Sequence, residues 1–157
     1  MSVTNSFLYT GEAVLGSTPG VPLAADSSGN LVSGLTTFSV TATSTASTVA
    51  TTDVVITGMT LTPTPGTYLA MFSTSFTSTT AGATITYTLY NNGVAEPATA
   101  TVISPYSGGL SSSANSIGAG FLQKPITVTA GAVDIRWKVS AGTVTCSTRS
   151  LTLLRLS

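Results

Sequence analysis

The chain has 157 residues, 6% of them charged and 42% hydrophobic, with five basic and five acidic side chains that cancel and no histidine at all. That apolar share excludes a disordered chain, and the lack of dense positive charge argues against nucleic acid or an anionic membrane as a main partner. About a third of the residues are serine or threonine, so the polarity is carried almost entirely by hydroxyl groups.

Residues 1 to about 36 carry Gly11, Gly16, Pro19-Gly20, Pro22, Gly29 and Gly34 at close intervals, which forbids long helices or strands. Yet Phe7, Leu8, Tyr9, Val14, Leu15, Val21 and Leu23 are too apolar to be left in water, so an extended N-terminal arm that lies on another surface is expected over 1–36. Asp26-Ser27-Ser28-Gly29-Asn30 reads as a turn, because Asp and Asn bond their own backbone and Gly supplies positive φ. The Ser/Thr-rich stretch from Ser39 to Thr52 is low in complexity.

From about Thr37 to residue 157 the chain is a string of strand patterns. Asp53 to Leu61 is a strand expected to place Val55, Met59 and Leu61 on one face, and Pro63 with Pro65-Gly66 ends it. Thr67 to Phe76 puts Tyr68, Ala70, Phe72 and Phe76 on one face and Leu69 and Met71 on the other, the mark of a strand covered on both sides. Ala83 to Tyr90 turns Ile85, Tyr87 and Leu89 inward, and Asn92-Gly93 supplies a two-residue hairpin turn.

Thr99 to Ile103 follows, then a Gly/Ser-rich loop is expected from Pro105 to Gly120. Ile126 to Thr129, Val133 to Ser140, Thr143 to Thr148 and Leu151 to Leu156 complete the strands. In the second of these, Val133, Ile135, Trp137 and Val139 alternate with Asp134, Arg136, Lys138 and Ser140, a half-buried strand. No helix pattern appears, and short strands at regular spacing mean a sandwich or barrel.

The equipment of catalysis is sparse. A serine nucleophile needs a base, most often histidine, and Lys124 lacks the Ser-x-x-Lys spacing that would let it substitute. Glu12, Asp26, Asp53, Glu96 and Asp134 sit mostly at turns or strand starts rather than as a glycosidase pair, with Asp53 and Glu96 read as solubility and edge-protection residues. There is no Cys/His cluster and no calcium-type loop, and Gly118-Ala119-Gly120 lacks the third glycine and the helix of a nucleotide fingerprint. Trp137 reads as core and Cys146, the lone cysteine, as a small buried hydrophobe. Lys124, Arg136, Lys138, Arg149 and Arg155 fall in the last quarter, where they read as a solvated strand face with pairs such as Asp134 with Arg136 or Lys138. No enzyme activity, metal or cofactor is expected.

Three stretches carry a resemblance. Pro65-Gly66-Thr67-Tyr68-Leu69-Ala70-Met71-Phe72, then Ile85-Thr86-Tyr87-Thr88-Leu89-Tyr90-Asn91-Asn92-Gly93, then Ile126-Thr127-Val128-Thr129-Ala130-Gly131 with the strand Val133 to Val139, resemble the tumour-necrosis-factor-like jelly roll, a superfamily that includes the complement globular heads. The likeness spans about residues 50 to 157, with Ser150 to Leu156 as final strand. Thr/Ser-rich, charge-poor versions look like virion proteins of tailed bacteriophages, used for head decoration (cement) or for fibre tips. No collagen-like or coiled-coil stalk precedes the domain, which disfavours a long fibre.

The resemblance implies an all-β, antiparallel jelly-roll sandwich at 37–157 and a homotrimer, with core residues Tyr68, Phe72, Ile85, Tyr87, Leu89, Ile135 and Trp137. Leu69, Met71, Leu154 and Leu156 offer apolar area beyond what one interior consumes, and closed symmetry would bury it at a trimer interface. The leading expectation is a capsid decoration protein on the surface of a phage head, its arms bridging copies of the major capsid protein without catalysis. A tail fibre or tip protein that binds a host receptor or glycan through the 105–120 loop is the alternative. The start Met1-Ser2-Val3-Thr4-Asn5 lacks the basic and apolar segments of a signal peptide, no apolar run approaches the ~20 residues that cross a bilayer, and a single cysteine makes no intrachain disulfide. Synthesis in the host cytoplasm is expected.

Overall fold

The computed structural model describes residues 23–25, 28, 31–33, 36–80, 82–103 and 116–156, which fall into two units divided between Thr36 and Thr37. In the first unit, β1 (Leu23–Ala25) and β2 (Leu31–Ser33) pair antiparallel, with Leu23 opposite Ser33 and Ala25 opposite Leu31. They flank the Asp/Gly/Asn-containing segment that favours a turn. Of the candidate arm residues, Phe7, Leu8, Tyr9, Val14, Leu15 and Val21 lie outside the described residues, and Leu23 opens β1.

The second unit is built from β3 (Thr37–Ala42), β4 (Ala46–Thr48), β5 (Val54–Leu61), β6 (Gly66–Ser78), β7 (Ile85–Asn91), β8 (Val94–Ala95), β9 (Thr101–Ile103), β10 (Ser116–Val128), β11 (Val133–Val139) and β12 (Val144–Arg155). One sheet runs β9–β7–β11–β5, with β8 paired to β7. The other runs β10–β6–β12–β3, with β4 paired to β12. All pairings are antiparallel, and the two sheets form a jelly-roll sandwich. Asn92 and Gly93 join β7 to β8 with φ of 51° and 79°. That is the mirror-image turn whose twist matches its flanking strands.

The core lies between the sheets. Tyr68, Phe72, Ile85, Tyr87, Leu89, Ile135 and Trp137 are all buried in it, joined by Ile56, Met59, Phe76, Leu122, Ile126, Leu151 and Leu153. Tyr87 is the hub. Its ring stacks on Trp137 within its own sheet (centroids 6.4 Å) and meets Phe72 (5.6 Å) and Phe76 (6.3 Å) from the opposite one. Each such pair adds about 0.5–1.5 kcal/mol beyond burial of its area.

Four expectations are corrected. In β5 the buried residues are Ile56 and Met59, whereas Val55 is exposed; Gly58, at φ +83°, sits where the pairing of β5 with β11 slips between Asp134 and Arg136. Five steps along β5, from Val55 to Thr60, face two along β11, from Arg136 to Asp134, and the extra residues, being odd in number, flip the alternation that the sequence pattern assumed. The loop after Pro105 ends before Gly120, because β10 begins at Ser116. Thr143 to Thr148 and Leu151 to Leu156 are one strand, β12, with a bulge between Cys146 and Arg149.

The fourth concerns charge. Arg149 is not on a solvated face but is 1% exposed. Its guanidinium donates from Nε (2.9 Å) and Nη2 (2.7 Å) to the carbonyl of Thr57 and from Nη1 (2.6 Å) to that of Ser44. It thereby ties the β12 bulge to the β5 bulge and to the β3–β4 connection. Lys138 pairs with Asp53 (3.3 Å) rather than with Asp134, which holds Arg136 (2.8 Å).

Two consequences can be measured. Arg149→Met keeps the aliphatic stem but removes three charge-assisted bonds, and should lower stability by about 2–3 kcal/mol, read as an earlier urea midpoint at unchanged slope; an unchanged midpoint would contradict the staple. The Tyr87 hydroxyl is buried without a hydrogen-bond partner, so Tyr87→Phe removes an uncompensated polar group and should be neutral or stabilising by up to about 1 kcal/mol. Burial, and next the charge of a nearby Cys146 thiolate, raise the Tyr87 phenol well above its ordinary value. The unfolded phenol releases its proton from about pH 10 while the folded one retains it, so the folded state binds more protons and stability falls as pH rises past that point. Tyr87→Phe should flatten this alkaline decline in denaturation series from pH 8 to 11.

Candidate interaction face

Pleating sends alternate side chains to opposite faces of a strand, so the registers state what the outer face of the β10–β6–β12–β3 sheet presents. Pro125, Leu69, Leu154 and Thr37 form one row across the four strands. Gln123, Met71, Thr152 and Ser39 form the next, and Phe121, Ser73, Ser150 and Thr41 the one after. Leu156 extends the apolar end, its N–H donating to the Thr67 carbonyl (2.7 Å) so that β12 continues its pairing with β6. The four residues Leu69, Met71, Leu154 and Leu156 are thus brought together on one surface.

No outward position of these four strands carries a charge. The three bases in their sequences all fall on inward positions: Lys124 opposite Ala70, Arg149 opposite Thr74, Arg155 opposite Tyr68. Lys124 spans to the other sheet and donates to the Pro97 carbonyl. Arg155 donates to the Pro65 carbonyl (3.2 Å) and the Thr64 hydroxyl (3.4 Å). The basic cluster of the last quarter of the sequence is therefore dispersed by the pleat.

Charge is gathered instead on the outer face of the opposite sheet. Arg136 lies 4.0 Å above the Tyr90 ring and holds Asp134, while the Tyr90 hydroxyl donates to Asp53 (2.8 Å), which pairs with Lys138. The bond to Asp53 is the main cause holding the Tyr90 phenol above its ordinary value. Glu96, too, is engaged, accepting from the Asn91 amide (2.8 Å). Asp53, Asp134 and Glu96 are thus each engaged by a neighbouring side chain.

Phe121 and Pro125 are members of the uncharged face that the sequence pattern did not reveal. Both lie on β10, whose first half is rich in Gly and Ser. The small residues there have a structural cause: a Cβ on Gly118 would sit 2.5 Å from Cζ of Phe76, whose ring fills the space above that glycine. Phe121, 70% exposed, stands beside a hollow of about 410 Å³ bordered by Met71, Gln123, Ser150 and Thr152. The alternation Ala119, Phe121, Gln123 against Leu122, Ile126, Val128 was the available signal.

Chemical equipment is correspondingly thin. Among the described residues, no three His, Cys, Asp or Glu side chains gather in a way that could hold a metal ion, and Cys146 is fully buried, with burial pushing its thiol up. No helix among them is long and apolar enough to cross a membrane.

No protein-family model matches the sequence, and no curated protein does. Among solved structures, Eiger TNF from S. frugiperda is similar over 77% of this chain and 93% of that one, at 11% identity and a TM-score of 0.54. The VP2 subviral particle of infectious bursal disease virus is similar over 86% of this chain but 37% of that one, at 13% identity and a TM-score of 0.49. The first likeness shows the jelly-roll fold. At these identities neither states what the chain does.

Proposed function

We propose that the protein is a non-enzymatic structural component of a virion, a trimeric decoration protein that clasps the surface of a phage head. The uncharged outer face of the β10–β6–β12–β3 sheet carries this reading. About a rotation axis each residue lies close to its own copies, so any charge there would confront its like, an arrangement that costs several kcal/mol. A face emptied of charge, with Leu69, Met71, Leu154, Leu156 and Phe121 on it, suits self-association about such an axis. The same face would be an expensive exposure for a monomer.

The charge-poor, hydroxyl-rich composition supports the virion setting through the resemblance to tailed-phage proteins. Residues 1–36 are assigned to the major capsid protein, Phe7, Leu8, Tyr9, Val14, Leu15, Val21 and Leu23 supplying the contact. Three linked arms convert modest individual contacts into firm attachment through effective concentration.

Three measurements test the reading in order. Sedimentation equilibrium should give three times the chain mass for the wild type, a monomer for Leu154→Asp, and an unchanged trimer for Val102→Asp, which alters an exposed position on the other sheet; a trimer that survives Leu154→Asp would remove the face from the interface. Deleting residues 1–36 should leave a folded trimer that no longer sediments with capsids. Full binding by the truncated trimer would sink the arm, and immunogold label at the tail instead of the head would favour the adhesion alternative.

A further inference from the structure

The β7–β8 turn belongs to the sheet opposite the uncharged face and carries a reactive pair. Asn92 and Gly93 are both exposed, with left-handed φ of 51° and 79°. Glycine has no Cβ to shield its nitrogen, and even a Cβ built on Gly93 would meet nothing within 4 Å. An asparagine amide followed by so open a peptide nitrogen is the pairing from which a succinimide ring forms most readily.

The closed turn holds that reaction off. Left-handed backbone has ψ of about +47°, which places the following nitrogen nearly opposite Cβ across the Cα–C bond. The Gly93 nitrogen therefore faces away from the Asn92 amide. That amide is seated over Gly131, where a Cβ would stand 2.8 Å from its Cγ, and the Asn92 N–H donates to the Ala132 carbonyl (2.7 Å). Ring closure requires ψ to rotate out of the turn, which breaks the pairing of Asn91 with Val94. Little opposes a local opening, because β8 is two residues long and both are exposed. Beyond β8 the chain is held by the Glu96 N–H on the Leu89 carbonyl (2.9 Å).

We infer that Asn92 is a self-modification site gated by opening of the β7–β8 turn. In the opened turn the Gly93 nitrogen gives up its proton and bonds to Cγ of Asn92, the Cγ–Nδ2 bond breaks, and ammonia leaves. Water then opens the ring, yielding aspartate by attack at Cγ or isoaspartate by attack at the main-chain carbonyl. Nothing is oxidised or reduced. Aspartate keeps the main-chain length, and Asp-Gly suits this turn as well as Asn-Gly does. Isoaspartate adds a methylene to the main chain, so the two-residue loop no longer closes Asn91 on Val94. The modified turn stays open as far as Glu96. Asn91 is the internal control: its amide donates to Glu96 (2.8 Å) and to the Thr127 carbonyl (3.0 Å), and the residue after it has a Cβ.

The full chain is incubated at mildly alkaline pH, folded and in urea, and isoaspartate is located by peptide mapping. In urea it should form at position 92 and not at 91. The folded chain should form it at least about tenfold more slowly, since only the opened fraction reacts. Equal rates would overturn the gate, and an unmodified Asn92 in urea would overturn the site. Hydrogen exchange then reads the product, taken from the folded incubation should the urea-treated chain not refold. The isoaspartate form should lose protection at the Val94 amide and keep it at Glu96, whereas Asn92→Asp should keep both. Protection of Val94 in the isoaspartate form, or its loss in Asn92→Asp, would overturn the account by showing that main-chain length is not what holds the turn open.

Discussion

Sheet-on-sheet packing around Tyr87 is the constraint from which the rest of the structure follows. Trp137 flanks Tyr87 within one sheet, and Phe72 and Phe76 reach it from the other, so these four large rings fill the space between the two layers. Opposed sheets pack about 10 Å apart face to face, and with that gap filled by rings a small residue is required wherever one would otherwise collide. Gly118 is such a place, yielding its side-chain volume to Phe76. The Tyr87 hydroxyl, buried without a partner, is the cost of placing a tyrosine where its ring is what the packing uses.

The same layered geometry decides where charge can go. A strand has only two faces, and on β10, β6, β12 and β3 one of them belongs to the core. Keeping the other uncharged sends Lys124, Arg149 and Arg155 to inward positions. Cations are tolerated there because each is long enough to reach a backbone carbonyl: Pro97 for Lys124, Thr57 and Ser44 for Arg149, Pro65 for Arg155. Carbonyl oxygens at bulges and strand ends lack ladder partners, so cation and orphaned acceptor satisfy each other. The bulges in β5 and β12 and the burial of Arg149 are in this sense one feature.

Much of the fold was legible because alternation with period two survives wherever a strand is regular. Val133 to Val139 and Ile85 to Leu89 show it plainly, and Asn92-Gly93 announces its own turn. Legibility failed where extra residues break the period, as around Gly58, where the sequence pattern selects Val55 and the structure buries Ile56. It failed again where long-range packing, not local preference, makes a strand. Ser116 to Gly120 reads as loop from composition, yet pairs with Gly120 opposite Thr74 through Ser116 opposite Ser78, because Phe76 needs the room. Leu69, Met71, Leu154 and Leu156 could be singled out as surplus apolar residues, whereas the alternation around Phe121 and Pro125 was masked by the Gly- and Ser-rich run that leads into it. Nor could spacing reveal that Lys124, Arg149 and Arg155 all turn inward, which depends on the registers of two different strands.

Hydroxyl-rich, charge-poor surfaces answer a particular physical demand. Charged side chains keep a protein soluble by repulsion, but repulsion grows with crowding and is weakened only beyond a Debye length of about 8 Å at physiological salt. Copies packed closer than that feel each other's charge in full. Serine and threonine hold water without that penalty, and on a sheet their hydroxyls can bond to one another across strands, as Ser47 with Thr145 and Thr41 with Ser150. Threonine adds a β-branched side chain that suits the pleated backbone, so the residue that wets the surface also favours the strand. Charge is then kept for the opposite sheet, where Asp53, Tyr90, Arg136, Asp134 and Lys138 neutralise one another locally. A protein whose two faces differ in this way has one face able to meet its own copies without repulsion and another that presents a balanced surface to water.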